Sequence, residues 1–188
     1  MGRPVAGPVA MRARTVLARV AAMRPTLAVV ALVVLVVGVS ACSTGSDEMP
    51  PQDREKQAVD VVTEAVPLVE EALRSTRAEV GGAWSSCPGG VGHVYSGGGT
   101  ISAPEGDASA QLDAVRTALT DAGFEEGTLV DGHVSVSRDE VSLDVTPSAA
   151  RGPGAWAVSF EGPCKRYGGD DEQYVQEQNL EGEDALLP

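Results

Sequence analysis

The sequence predicts an α+β fold: an antiparallel sheet of about four strands covered on one face by two helices, in the order α-β-α-β-β-β. Three observations carry this expectation. Apolar residues recur at helical spacing from Arg54 to Val80, they do so again after Asp107, and a two-residue alternation takes over from Val134 to Phe160. A sheet that is apolar on one side needs a layer to cover it, and the two helices supply that layer.

Element by element, the first helix rests on Ala58, Val62, Ala65, Val69, Ala72, Leu73, Thr76 and Val80, with Pro67 as the expected kink. A strand follows over His93 to Ser102, interrupted at Gly97-Gly98-Gly99, where the glycine run reads as a bulge or a mobile loop. Asp107 can cap the second helix, Leu112, Val115, Leu119 and Ala122 form its stripe, and Gly123 stops it. A short strand is expected before Asp131-Gly132. The last strands place Val134 and Val136, then Val141, Leu143 and Val145, then Trp156, Val158 and Phe160 on one face, with Ser135, Ser137, Ser142, Asp144 and Thr146 on the other. Arg138-Asp139-Glu140 makes a tight turn between two of them, and both tryptophans, Trp84 and Trp156, are expected in the core.

The N-terminal residues carry a different message. Arg3, Arg12, Arg14, Arg19 and Arg24 precede a 13-residue apolar run, Leu27 to Val39, without a single acid. That run has the length of a secretory h-region and falls short of the roughly 20 residues needed to span hydrocarbon. It ends in Val39-Ser40-Ala41-Cys42, which resembles the bacterial lipobox. The resemblance implies cleavage between Ala41 and Cys42 and alkylation of the Cys42 sulfur with diacylglyceryl, giving a palmitate-type membrane anchor on the extracytoplasmic face. Two or more acyl chains hold a protein stably at about 0.8 kcal/mol per buried CH2, so such an anchor needs no electrostatic help. Met11 or Met23 as the start would leave this expectation unchanged, and the absence of an Arg-Arg pair favours general export.

Charge agrees. All 27 acidic residues but only 9 of the 14 basic ones follow Cys42, a formal −18 for the 147 residues from Cys42 onward. Such a surface repels nucleic acid and anionic lipid, which excludes nucleic acid as a partner and leaves the lipid anchor as the membrane contact. Arginine outnumbers lysine 12 to 2, a bias of GC-rich bacteria such as the actinobacteria. The expected organisation is a signal peptide at 1–41, a disordered tether at 42–53, one domain at 54–167 and an acidic disordered tail at 168–188. A short helix at Asp171 to Asn179 is the alternative for the tail.

Once Cys42 is assigned to the anchor, Cys87 and Cys164 remain. In an exported protein a leftover pair points to a disulfide; the rival, a redox pair, lacks the C-x-x-C that would poise a thiolate. The expectation sets Cys87 just after the first helix and Cys164 just after the last strand. The lipobox, the tether, the helix ending near Gly82-Ala83-Trp84-Ser85-Ser86-Cys87, the second helix and the strand closing on Gly162-Pro163-Cys164 together resemble the small LppA-like lipoproteins of mycobacteria and relatives. That resemblance implies the same cysteine pair and the same lipidated cysteine, and it implies no activity.

Chemistry-bearing motifs are sparse. His93 and His133 are the only histidines, and neither has metal-ligand spacing, so neither a metal nor a cofactor is expected. Ser85 and Ser86 lack the G-x-S-x-G elbow, and Gly97-Gly98-Gly99 lacks the G-K-[ST] of a phosphate loop. The expected function is a non-catalytic envelope lipoprotein binding a protein, glycan or lipid, with Gly97, Gly98, Gly99 and His93 as candidate ligand-binding residues. A small envelope hydrolase built on His93 or His133, and an accessory solute-binding lipoprotein, are the alternatives.

Overall fold

The computed structural model describes residues 49–128 and 130–187. The expected signal peptide, the lipobox-like segment with Ala41 and Cys42, and the expected tether up to Glu48 lie outside the described residues. Within them the chain is α+β, with three α-helices and one antiparallel sheet.

Helix α1 spans Pro51–Leu73. It starts on Pro50-Pro51, where a proline costs nothing because the first N–H groups lack intrahelical partners. Residues 51–53, expected in the tether, therefore belong to the helix. Ala58, Val61, Val62, Ala65, Val66, Val69 and Leu73 form its buried stripe. The helix ends seven residues earlier than the expected Val80. Arg74 takes a left-handed conformation (φ 53°), and Ser75 N–H closes back on the Glu70 carbonyl at 2.8 Å, a Schellman-type end built without glycine.

The chain then enters strand β1 (Arg77–Ser86) and turns into β2 (His93–Ser102). Helix α2 (Ala108–Asp121) is capped as expected: the Asp107 carboxylate accepts the Ala110 N–H at 2.9 Å. Gly123 (φ 89°) lets Phe124 N–H return to the Leu119 carbonyl at 3.1 Å and stop the helix. Strands β3 (Glu125–Glu126), β4 (Val134–Arg138), β5 (Val141–Pro147) and β6 (Ala155–Glu161) follow, then helix α3 (Asp170–Glu181) and strand β7 (Asp184–Leu187). Among the described residues the sheet has seven strands rather than about four, in the order β3-β4-β5-β6-β2-β1-β7. Two of the additional strands come from sequence read otherwise: β1 from the supposed end of the first helix, and β7 from the tail. That tail, expected to be disordered, folds back so that α3 packs beside β1 and β7 pairs with Val80, Gly81 and Gly82.

Cross-strand register explains the core. Val80, Gly99, Val158, Val145 and Val134 lie in one row across β1, β2, β6, β5 and β4, and Gly82, Gly97, Phe160, Leu143 and Val136 lie in the next. Both rows face inward and bury against the stripes of α1 and α2, as does Trp156, in one continuous apolar cluster. The β4–β5 turn needs only Asp139 and Glu140, both at positive φ (52° and 64°), as a two-residue hairpin demands. Arg54 of α1 holds this turn through Glu140 at 2.6 Å. Arg138 reaches back to Glu64 of α1 at 2.6 Å, which keeps the Glu64 carboxyl below its ordinary range, and lies 4.0 Å over the Phe124 ring.

The Cys87–Cys164 disulfide is present, with Cα atoms 5.9 Å apart. Its placement differs from the expectation, because Cys87 follows β1 and not the first helix. After β6 the chain re-enters the sheet margin: His93 and Lys165 exchange both backbone hydrogen bonds, at 2.7 and 2.9 Å. That bridge sets Cys164 against the β1–β2 connection, where Cys87 N–H is held by the Gly92 carbonyl. The bond closes a separation of 77 residues, for which chain entropy predicts about 4 kcal/mol of stabilisation. Replacing both cysteines by serine should lower the unfolding free energy by about that amount in urea, and non-reducing peptide maps of the wild type should show one linked pair. Alkylatable thiols at both positions would contradict the bond.

Candidate functional site

The helices cover the inner face of the sheet and leave its outer face uncovered by any described helix. Most of the side chains on this outer face are small, with Glu79, Asp144 and Glu161 as the acids among them. The central row reads Gly81, Gly98, Ser159, Asp144, Ser135, and the rows on either side are Glu79, Thr100, Ala157, Thr146 and Ala83, Ser96, Glu161, Ser142, Ser137. No aromatic ring stands among them.

Two adjoining hollows share Gly98, Gly99 and Glu183 and together form a trough across this face. One, of about 460 Å³, lies between Thr100 and β7 and is walled by Glu79, Glu183 and Asp184. The other, of about 520 Å³, lies over β2 and β6 and is bounded by Ser96, Ala157, Ser159 and Arg151. Glu183, in the turn before β7, lays its side chain over the floor, so that a Cβ added at Gly81 would fall 2.3 Å from its Oε1. Arg151, on the β5–β6 connection, donates from Nη1 to the Gly99 carbonyl at 3.4 Å and to Thr100 Oγ1. These partners are neutral, so among the described residues the guanidinium charge is positioned but not neutralised.

The residues singled out from sequence are divided by the structure. Gly97, Gly98 and Gly99 all line the trough, yet they form neither a bulge nor a loop. They are central residues of β2, paired in regular register with β1 on one side and β6 on the other. His93 sits at the start of the same strand, outside the trough. Its Nε2 is 3.1 Å from Glu172 Oε1 of α3, and its Nδ1 is buried without a hydrogen-bond partner among the described residues. Hydrogen bonds from Gln176 and then His93 hold the Glu172 carboxyl below its ordinary range. His93 thus ties the C-terminal helix to the sheet beside the disulfide. His133 lies in the turn before β4, partly exposed. Among the described residues no group of three or more His, Cys, Asp or Glu side chains is arranged to hold a metal ion.

The charged residues of the trough escaped the sequence reading, Asp184 together with its neighbour Glu183. Glu183 belongs to the tail read as disordered, Glu79 to the strand read as helix, and Arg151 to a Gly-Pro-Gly connection. A signal for Arg151 existed: it is the only base between Arg138 and Lys165.

A second constellation holds the C-terminal segment in place. The Glu55 carboxylate of α1 accepts the Trp84 indole N–H and the Tyr174 O–H on one oxygen, both at 2.8 Å. Trp84 meets Tyr95 and Tyr167 edge-on, with ring centroids 5.5 and 5.8 Å apart. Burial, then the negative charges of Glu55 and Asp184, push the Tyr95 hydroxyl up to about 12. Tyr174 is pushed up too, by burial first and by its bond to Glu55.

What these features define is a class: a small α+β domain with a one-sided sheet, a small-residue outer face and a C-terminal segment strapped to β1. The chain matches no protein-family model, no curated protein and no solved structure.

Both tyrosines ionise later in the folded state than in the unfolded one. Their contribution to stability is therefore complete below about pH 10; that of Tyr95 is lost as pH rises through about 12, and that of Tyr174 is lost at higher pH still. Urea unfolding midpoints should fall across that interval, with tyrosinate absorbance of the folded domain lagging behind that of the unfolded chain. Tyrosinate absorbance that rises fully near pH 10 with no loss of stability would contradict the burial of these hydroxyls.

Proposed function

We propose that the chain is a lipid-anchored binding module of a bacterial cell envelope, attached through Cys42 and presenting the outer face of its sheet. The observation that carries the reading is that face itself. Five paired strands expose mostly small and hydroxylated side chains, hollowed into a trough with a glycine floor, while the aromatic rings are buried in the core or packed against it. Large planar sheet faces of this kind offer contact area without the entropy cost of ordering long side chains. The lipobox-like Val39-Ser40-Ala41-Cys42 supports the anchor, and the resemblance to LppA-like lipoproteins supports the envelope. From Ser43 to Pro50 the chain could lift the domain by at most about 26–29 Å, enough to clear lipid headgroups. Its strong negative charge supports a partner other than nucleic acid or anionic lipid.

A photo-crosslinking side chain at Ser159, in the full chain in native membranes, tests both halves. The expected result is light-dependent adducts at Ser159 and none at Gln52 on the exposed flank of α1. Intact mass should show cleavage before Cys42 and an acyl modification on it, and Cys42→Ala should abolish the modification and leave a precursor of higher mass. Wild-type protein with an uncleaved N-terminus and an unmodified Cys42 would overturn the anchor. Equal labelling, or none, at Ser159 and Gln52 would overturn the face.

A further inference from the structure

We propose that the trough over β2 and β6 receives a short peptide of two to three residues with both ends free, its carboxylate on Arg151 and its ammonium group on Glu183. The proposal rests on the reading of the outer face as a binding surface, and it names the ligand chemistry.

Opposite charges line this one trough and leave each other unpaired. Arg151 spends Nη1 on two neutral acceptors, the Gly99 carbonyl and Thr100 Oγ1, which fix the guanidinium at the trough wall while its remaining N–H groups stay available for a carboxylate. Glu183 has no hydrogen bond or ion pair among the described residues, although its side chain lies over Gly81 inside the hollow. Elsewhere on this domain a guanidinium facing an acid forms a pair: Arg54 with Glu140, Arg138 with Glu64, Arg116 with Asp113 and Glu126. Arg151 and Glu183 line the same space and form none.

The spacing selects the ligand. The Arg151 guanidinium is held at Gly99 and Thr100 of β2 and the Glu183 carboxylate lies over Gly81 of the adjacent strand β1, so the two charges are separated by about one strand spacing, roughly 4.8 Å, across the sheet and by one to two residues along it. A peptide advances about 3.3–3.6 Å per residue, so two or three residues bridge that gap. Between the charges the floor is Gly98, flat enough for a peptide backbone to lie against. The Ser96 and Ser159 hydroxyls at the sides have no hydrogen-bond partner among the described residues and suit amide groups. With no aromatic ring in the lining, a sugar has nothing to stack on, and Asp184 beside the ammonium end disfavours a ligand of net negative charge, while Glu79 is engaged by Arg77.

The test is titration of the full-length lipidated protein in detergent micelles with dialanine and trialanine, read by amide NMR shifts. The expected result is saturable shifts at Gly97 to Gly99 and Ser159. N-acetylation or C-amidation of the peptide should weaken binding by about tenfold or more, the effect of losing a charge-assisted contact. Arg151→Gln and Glu183→Gln should each cost about as much, while Lys56→Gln should cost nothing. In Glu183→Gln the penalty for acetylation should vanish and the penalty for amidation persist, with the reverse in Arg151→Gln. No saturable shift at millimolar peptide, capped peptides that bind equally, or free alanine binding as tightly as dialanine would each overturn the proposal. Adducts at Ser159 without peptide binding would leave the face a binding face and overturn the peptide alone.

Discussion

The close approach of β2 to its neighbours across Gly97, Gly98 and Gly99 is the constraint on which the rest of the structure depends. A Cβ on Gly97 would lie 2.0 Å from the Gly81 carbonyl oxygen, one on Gly99 1.8 Å from that of Glu79, and one on Gly98 2.5 Å from that of Val158. Each obstacle is backbone and cannot swing aside. Gly82, opposite Gly97, extends the opening inward, where a Cβ would meet the Phe160 ring and the Tyr95 hydroxyl at 2.9 Å. The same glycines therefore bring three strands together, make room for the Tyr95–Phe160 pair beneath them, and pave the floor of the trough above. Packing and surface shape follow from one run of sequence.

This also explains what was legible in the sequence. The β4–β5 hairpin and β6 could be read because one face is buried and the other wet, so alternation survives in the residues themselves. Helix α2 was legible through Asp107 and Gly123, which act by local hydrogen bonding and conformational preference. The end of α1 was hidden for two reasons. Its left-handed terminal residue is Arg74, where the usual signal is glycine, and Thr76 and Val80 fall four apart, a spacing shared by a helix turn and one face of a strand. The glycine run misled in the opposite direction. Glycine lowers strand propensity, but here paired hydrogen bonds on both sides and the need for close approach outweigh it.

The C-terminal segment shows the limit of reading by composition. Seven acids and no base between Gly168 and Pro188 signal disorder, yet a few residues anchor it: Val175 is buried, Tyr174 reaches Glu55, Glu172 reaches His93, and Leu186 and Leu187 pack against the core. These are long-range contacts, 119 positions apart for Tyr174 and Glu55, and no local pattern records them. Folding the segment back brings Glu183 over the glycine floor. The helix of the strap was legible only as the alternative at Asp171 to Asn179, and its docking, which places Glu183, was not, whereas the cysteine pair was accessible once Cys42 was assigned elsewhere.

The central claim is that the glycine run is built for strand approach, and the unfolding free energies of Gly97→Ala and Gly99→Ala test it most directly. Gly168→Ala is the control, since a Cβ there meets nothing within 4 Å. The account predicts that each strand variant loses about 1–3 kcal/mol or fails to fold, because a neighbouring backbone must move, while the control stays within about 0.5 kcal/mol of the wild type. Wild-type stability in both strand variants would contradict the packing of β1 on β2, and with it the origin of the trough.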